Sequence, residues 1–150
     1  MFRQTFQAGW GDMDFNAHMA NTAFLDRAAD VRMMFFAAHG FPMSEFRQRR
    51  LGPVLFRDEI DYQREISLLE MFHVELTLAG LAPDGSRFIM QNTFTNDAGK
   101  LCARIQSSGS WLNLETRKLQ PPPPDLLAAL NEIARTDTFA ELPSIQKPSA

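Results

Sequence analysis

After residue 50, apolar side chains recur mostly at every second position, the period of a half-buried strand. Before it, one long segment is apolar at helical spacing. Phe2 to Ala8 alternates loosely and predicts a first strand, and Gly9 to Asn16 is a turn-rich loop. Ala20 to Ala38 is apolar over most of its circumference; Thr22, Asp26 and Asp30 recur every four residues, with Arg27 and Arg32 close by. One narrow wet stripe predicts a helix largely enclosed by other structure. Gly40 after His39 supplies a C-terminal stop, and Pro42 prevents simple continuation.

Val54, Phe56, Ile60, Tyr62 and Ile66 share one parity against Arg57, Glu59, Asp61, Gln63 and Glu65, with Asp58 and Arg64 breaking the apolar side. Phe72, Val74, Leu76 and Leu78 repeat the pattern against His73, Glu75 and Thr77. Pro83-Asp84-Gly85-Ser86 and Asn96-Asp97-Ala98-Gly99-Lys100 are turns. Between them lies a strand, Phe88 to Thr95, and after them a long one, Leu101 to Leu114, in which Gly109 predicts a bulge or bend. Pro121 to Pro124 ends the sheet region, and Asp125 to Ala134 is a short amphipathic helix with Leu126, Leu127, Leu130 and Ile133 on its apolar side. The order is an α+β one: an antiparallel sheet of about five strands wrapped around one long central helix, plus a short C-terminal helix. No alternating β-α-β series occurs, so a doubly wound fold is disfavoured. Residues 1–136 read as one domain and 137–150 as a tail, loose at its end.

At 150 residues the chain can bury roughly 70% of its unfolded surface. A net charge of −3 argues against nucleic acid as partner. The single cysteine, Cys102, excludes an internal disulfide and a thiolate zinc cluster, has no motif making it a nucleophile, and suits a reducing compartment. Met1 to Gln7 has no run fit for a signal peptide, and nowhere do about 18 consecutive apolar residues predict a membrane span. The expectation is a soluble cytoplasmic domain. Thirteen phenylalanines and eight methionines against one tyrosine read first as a plastic core, and only second as the lining of an acyl pocket.

The chemistry concentrates before the long helix. Asp12, Asp14, His18 and Asn21 fall within ten residues. A helix N-terminus offers free backbone N–H groups and a partial positive charge, fit to hold a carbonyl oxygen as negative charge develops on it. A carboxylate beside it can serve as general base or nucleophile, and acyl transfer needs that combination. From position alone, Asp14 reads first as a loop aspartate forming an Asx turn or capping a helix. Asn21 reads as the N-cap, which leaves the amides of Thr22 and Ala23 free, and Asp12 as an acceptor for backbone N–H groups in the loop. His39 near the helix end reads as structural, His73 as exposed, and Arg47, Arg49 and Arg50 as a basic cluster. There is no Gly-x-Ser-x-Gly elbow, phosphate-binding glycine loop or His-Glu-x-x-His helix, and the chemistry in view requires no metal or cofactor.

Trp10-Gly11-Asp12-Met13-Asp14, His18-Met19, Asn21 and the segment Arg57 to Tyr62 resemble the hot-dog fold, and within it the 4-hydroxybenzoyl-CoA thioesterase-like branch of acyl-CoA thioesterases. The resemblance extends over about the first 115 residues in element order. It implies that Asp14, second of an Asp-x-Asp pair and four residues before His18, is the catalytic carboxylate. His18 and Asn21 would support it, with Trp10, Asp12, Thr22 and Ala23 on the substrate side. The chain departs from the family pattern at Ala20, where many members carry asparagine, at Asn21, where some carry histidine, and at Ala29, where a glutamate is frequent. The resulting expectation is a homodimeric or homotetrameric enzyme hydrolysing acyl-CoA to free CoA and a carboxylic acid. The rivals are a non-catalytic acyl-binding protein of the same fold and an acyl-thioester dehydratase.

Overall fold

Strand β3, Met71–Leu81, carries the clearest alternation, and Phe72, Val74, Leu76 and Leu78 are all fully buried. The computed structural model describes residues 1–146, and β3 is the spine of its sheet. On one side β3 pairs antiparallel with β4, Phe88–Asn96. On the other it holds β1, Phe2–Gln7, antiparallel along its first half and β7, Arg135–Glu141, parallel along its second. Beyond β4 come β5, Leu101–Asn113, and the edge strand β2, Leu51–Tyr62, while the two-residue β6, Leu119–Gln120, also joins β5. The sheet therefore has seven strands rather than about five. Because β7 occupies residues 135–141, the sheet runs past the expected domain limit at 136; positions 147–150 of the expected tail lie outside the described residues.

Helix α1, Asn21–Ala38, lies against the sheet and buries Ala23, Phe24, Ala28, Val31, Phe35 and Phe36. Its wet stripe starts at Thr22, Asp26 and Asp30 as the spacing predicts, then continues through the exposed Met34 and Ala37. His39 closes the helix, its Nδ1 2.8 Å from the Phe35 carbonyl oxygen and its ring stacked on Phe35. A second helix that the alternation did not reveal, α2, Met43–Arg49, follows Pro42 and buries Phe46. Helix α3, Pro124–Asn131, with Leu126 and Leu130 fully buried, seals the far end of the core. There Trp111, also fully buried, packs against Phe36, Phe46 and Phe88 and donates its indole N–H to the Gly85 carbonyl at 3.1 Å.

Strand β2 has one free edge, and its parity reading fails in part: Phe56 is 52% exposed and Tyr62 48%. Among the described residues no other strand pairs with that edge, and α1 packs mainly on β1, β3 and β5. Neither face of β2 is therefore fully covered, and alternation there does not sort residues into inside and outside. The irregularity expected at Gly109 falls instead on β2, where the register with β5 shifts between Leu55 and Arg57, opposite Gly109 and Ser108. Gly109 is what permits the shift: a Cβ there would drive into the Val54 carbonyl oxygen and stand 2.8 Å from Phe88 Cζ. Gly109→Ala is expected to lower stability by about 1–3 kcal/mol through that overpacking. Urea denaturation checks it: an unchanged midpoint would contradict the close approach.

Candidate active site

The loop from Gly9 to Ala20 is held by hydrogen bonds of its own. A 3-10 turn, Trp10–Asp12, is closed by Asp12 Oδ2 accepting the Gly9 amide at 2.9 Å, and the Asp12 carbonyl accepts the Ala20 amide at 2.9 Å. The Asp12 carboxylate also pairs with Arg27 Nη2 at 3.2 Å, and the Arg27 guanidinium lies over the Phe6 ring. Asp12 thus ties the loop to α1 and β1 with both oxygens engaged.

Asp14 forms an Asx turn: its Oδ1 accepts the Asn16 amide at 2.8 Å and the His18 amide at 3.3 Å. The Asp14 amide donates to the His18 carbonyl at 2.8 Å, and Ala17 closes the turn in the left-handed region at φ 59°. Oδ2 has no hydrogen-bond partner among the described residues, and the side chain is exposed. The same loop is stitched to the 66–69 segment by Met19 N–H to the Ile66 carbonyl at 2.7 Å and Leu68 N–H to the Ala17 carbonyl at 3.2 Å. His18 Nε2 lies 3.2 Å from Glu65 Oε2. Glu65 orients the imidazole, while Asp14 meets His18 only through its backbone.

The helix start differs from expectation by one residue. Ala20, at φ −63° and ψ 147°, is the N-cap, and Asn21 is the first helical residue, with no side-chain cap bond. The Asp12 carbonyl already fixes Ala20, so no side-chain cap is required to set the entry angle. The Ala23 amide is taken by the Ala20 carbonyl at 2.9 Å, which leaves Asn21 and Thr22, rather than Thr22 and Ala23, as the amides without an acceptor among the described residues. Beside them Met19, Asn21, Phe24, Tyr62, Gln63 and Glu65 line a cleft of about 250 Å³. Tyr62, which the motifs did not single out, donates its hydroxyl to the Asn21 carbonyl at 3.1 Å and packs edge-on against Phe24; partial burial raises its phenol pKa.

Asp14, His18 and Trp10 are not among the residues lining this cleft in a single chain. Trp10 and Phe15, 75% and 97% exposed, project from the loop into solvent. In the basic cluster, Arg49 binds Asp125 through two hydrogen bonds and Glu45 through one, and Arg50 pairs with Glu115 at 2.7 Å; Arg47 has no ion pair among the described residues. His73 is bridged rather than exposed: Nδ1 lies 2.8 Å from Thr5 Oγ1 and Nε2 2.8 Å from Asp97 Oδ1. Cys102 is fully buried.

A model of the thioesterase-like superfamily matches residues 8–130, and the chain belongs to that superfamily. Its fold is the hot-dog fold of the solved structures it is similar to. One is a Staphylococcus aureus protein in complex with CoA, at 22% identity and TM-score 0.81, covering 98% of this chain and 89% of that one. Another is a 1,4-dihydroxy-2-naphthoyl-CoA thioesterase from Synechocystis, at 18% identity and TM-score 0.79, covering 87% and 96%. A third is a DHNA-CoA thioesterase from Staphylococcus aureus, at 14% identity and TM-score 0.78, covering 87% and 88%. No curated protein sequence matches the chain at a significant level.

Proposed function

We propose that the protein is an acyl-CoA thioesterase that hydrolyses its substrate to free CoA and a carboxylic acid, with Asp14 as the catalytic carboxylate. The observation that carries this reading is the pair of unbonded amides, Asn21 and Thr22, at the start of α1, opening beside a cleft and following a loop that holds Asp14 with one oxygen free. The thioester carbonyl oxygen would lie against these two amides, where charge developing on it meets fixed donors and the positive end of the helix dipole. Asp14 Oδ2 attacks the carbonyl carbon directly, or takes a proton from a water that does. In both routes the tetrahedral intermediate collapses by breaking the C–S bond. In the water route this gives the acid at once; in the direct route it leaves a mixed anhydride on Asp14, which water then hydrolyses to the free acid and the restored carboxylate. The CoA thiolate is a competent leaving group, because a free thiol has a pKa of about 8.5.

The reading includes a second copy of the chain. The free edge of β2 with Phe56 and Tyr62, and the exposed Trp10 and Phe15 beside Asp14, leave the site half open in one protomer. A homodimer or homotetramer that covers this edge would enclose it. CoA as the carrier is supported by the Staphylococcus aureus structure in complex with CoA, and an aromatic acyl group by the Synechocystis enzyme. Cytoplasmic location rests on the buried lone thiol; among the described residues, no helix is long and apolar enough to cross a membrane. Thiol release across short, long and aromatic acyl-CoAs, with products separated by chromatography, tests the proposal. Free CoA and acid in equal amounts support it; binding without release favours the acyl-binding protein, and hydrated enoyl products the dehydratase.

A further inference from the structure

The layer between α1 and the sheet is polar at one place. Asn92 on β4 and Ser107 on β5 are fully buried on the inward face, and both meet Arg32 of α1: Nη1 donates to Asn92 Oδ1 and to Ser107 Oγ, each at 3.2 Å. Ser107 Oγ in turn donates to Asp58 Oδ1 at 2.5 Å. Burial pulls the Arg32 pKa below the ordinary guanidinium value, opposed by the charge of Asp58, yet a guanidinium stays protonated in proteins. Its hydrogen-bond partners are both neutral, and Asp58 acts on it through its charge while its hydrogen bond goes to Ser107.

Donors are left over here. Asn92 Nδ2 is the buried donor here with no partner among the described residues; Arg32 Nε and Nη2 also make no hydrogen bond there, but they are not sealed from solvent. An unmet buried donor costs about 1–3 kcal/mol, and well-packed hydrophobic residues of similar volume would often serve stability as well as a buried charge does. What the cluster lacks is an acceptor. Arg32 also lines a cleft of about 190 Å³ whose other walls, Met33, Phe36, Leu55, Phe88 and Met90 among them, are apolar.

This cleft lies on the same seam as the one at the helix start. Residues of α1 and β2 line both clefts, in opposite chain order: Asn21 with Tyr62 in the first, Met33 and Phe36 with Pro53 and Leu55 in the second. Ala29, which also lines the inner cleft, stands eight residues after Asn21, a rise of roughly 12 Å along the helix. That rise is within the length of a medium extended acyl chain whose carbonyl sits on the Asn21 and Thr22 amides.

We propose that the inner cleft receives the far end of the acyl group, and that Arg32 is a specificity-determining residue that selects acyl groups ending in an oxygen acceptor. The proposal rests on the thioesterase reading for the position of the thioester, while the recognition by Arg32 is separable from turnover. Apolar walls hold the chain, and the spare guanidinium N–H groups receive a carboxylate or hydroxyl oxygen at its end, a charge-assisted bond in the first case.

The test uses CoA thioesters of octanoyl, decanoyl and dodecanoyl chains, each with a plain, an ω-hydroxy or an ω-carboxy end. Wild-type protein is expected to show kcat/KM about tenfold or more higher for the oxygenated members of at least one chain length. Preference for carboxy over hydroxy would assign the reading to charge, and equal preference to hydrogen bonding alone. Arg32→Met should erase the preference while plain chains are still hydrolysed, and Arg32→Lys should keep part of it for the carboxy series. Equal or faster hydrolysis of the plain chains by wild type at every length would overturn the proposal, as would a folded Arg32→Met variant that loses all three ends alike. If wild type releases no thiol from any of them, calorimetric binding of the same compounds separates the two claims. An Arg32-dependent preference in binding would uphold the recognition and sink the thioesterase reading; no preference, or no binding, would sink both.

Discussion

Asp14→Asn is expected to lower kcat for the preferred acyl-CoA by about a hundredfold to ten-thousandfold, with little change in KM. The substitution is chosen for what it leaves intact. A carboxamide oxygen still accepts the amides of Asn16 and His18, so the Asx turn and the left-handed Ala17 that follows it persist. What disappears is the charge and basicity of the free oxygen, Oδ2. A loss confined to kcat, with melting temperature and acyl-CoA binding retained, would place Asp14 in the chemical step. A fall in stability with kcat unchanged would instead return Asp14 to the role of a loop cap.

Asn21→Pro is expected to lower kcat by about a hundredfold to a thousandfold, the effect of removing one donor from an oxyanion site, whereas Asn21→Ala should have a much smaller effect. Proline at the first helical position loses an N–H that no carbonyl accepts among the described residues, so the helix itself should be undisturbed. The residue before it already has the extended backbone a proline requires, since Ala20 sits at φ −63° and ψ 147°. Alanine keeps the amide and removes only the side chain, so the difference between the two variants isolates the N–H. Equal kcat in both, with folded proteins, would mean that the helix start does not hold the carbonyl oxygen.

Much of the fold was legible because local pattern and tertiary burial agree. Phe72 to Leu78 alternates and every second residue is buried; Gly85 and Gly99 stand in turns at φ 76° and 77°. What escaped the sequence depends on partners distant along the chain. Strand β7, with Phe139 as its one large apolar residue, forms only because the second half of β3 has an open edge for it, and β6 is two residues held by the end of β5. Helix α2 is too short for a period to show, and Phe46 draws it into the core from Pro42 onward. The parity of β2 misled because α1 packs mainly on β1, β3 and β5 and leaves both faces of most of β2 open.

The candidate site was legible in its residues and not in its geometry. Asp-x-Asp, His18 and Asn21 are visible as a string, but which oxygen of Asp14 is free, and that Ala20 rather than Asn21 caps the helix, depend on carbonyls of the loop. Arg32 looked like one more polar residue near the wet stripe. The signal that could have singled it out was Asn92, standing at an inward position between Met90 and Phe94 where the pattern asks for an apolar side chain.

The most direct test of the central claim is a single-turnover experiment with enzyme in excess over acyl-CoA, quenched with time and separated by chromatography. The account predicts that wild-type protein converts the bound thioester into equal amounts of CoA and carboxylic acid, and that Asp14→Asn binds it but leaves it intact over the same interval. Recovery of unchanged acyl-CoA from a stoichiometric complex with the wild-type protein would contradict the account and make this a binding protein on a thioesterase fold.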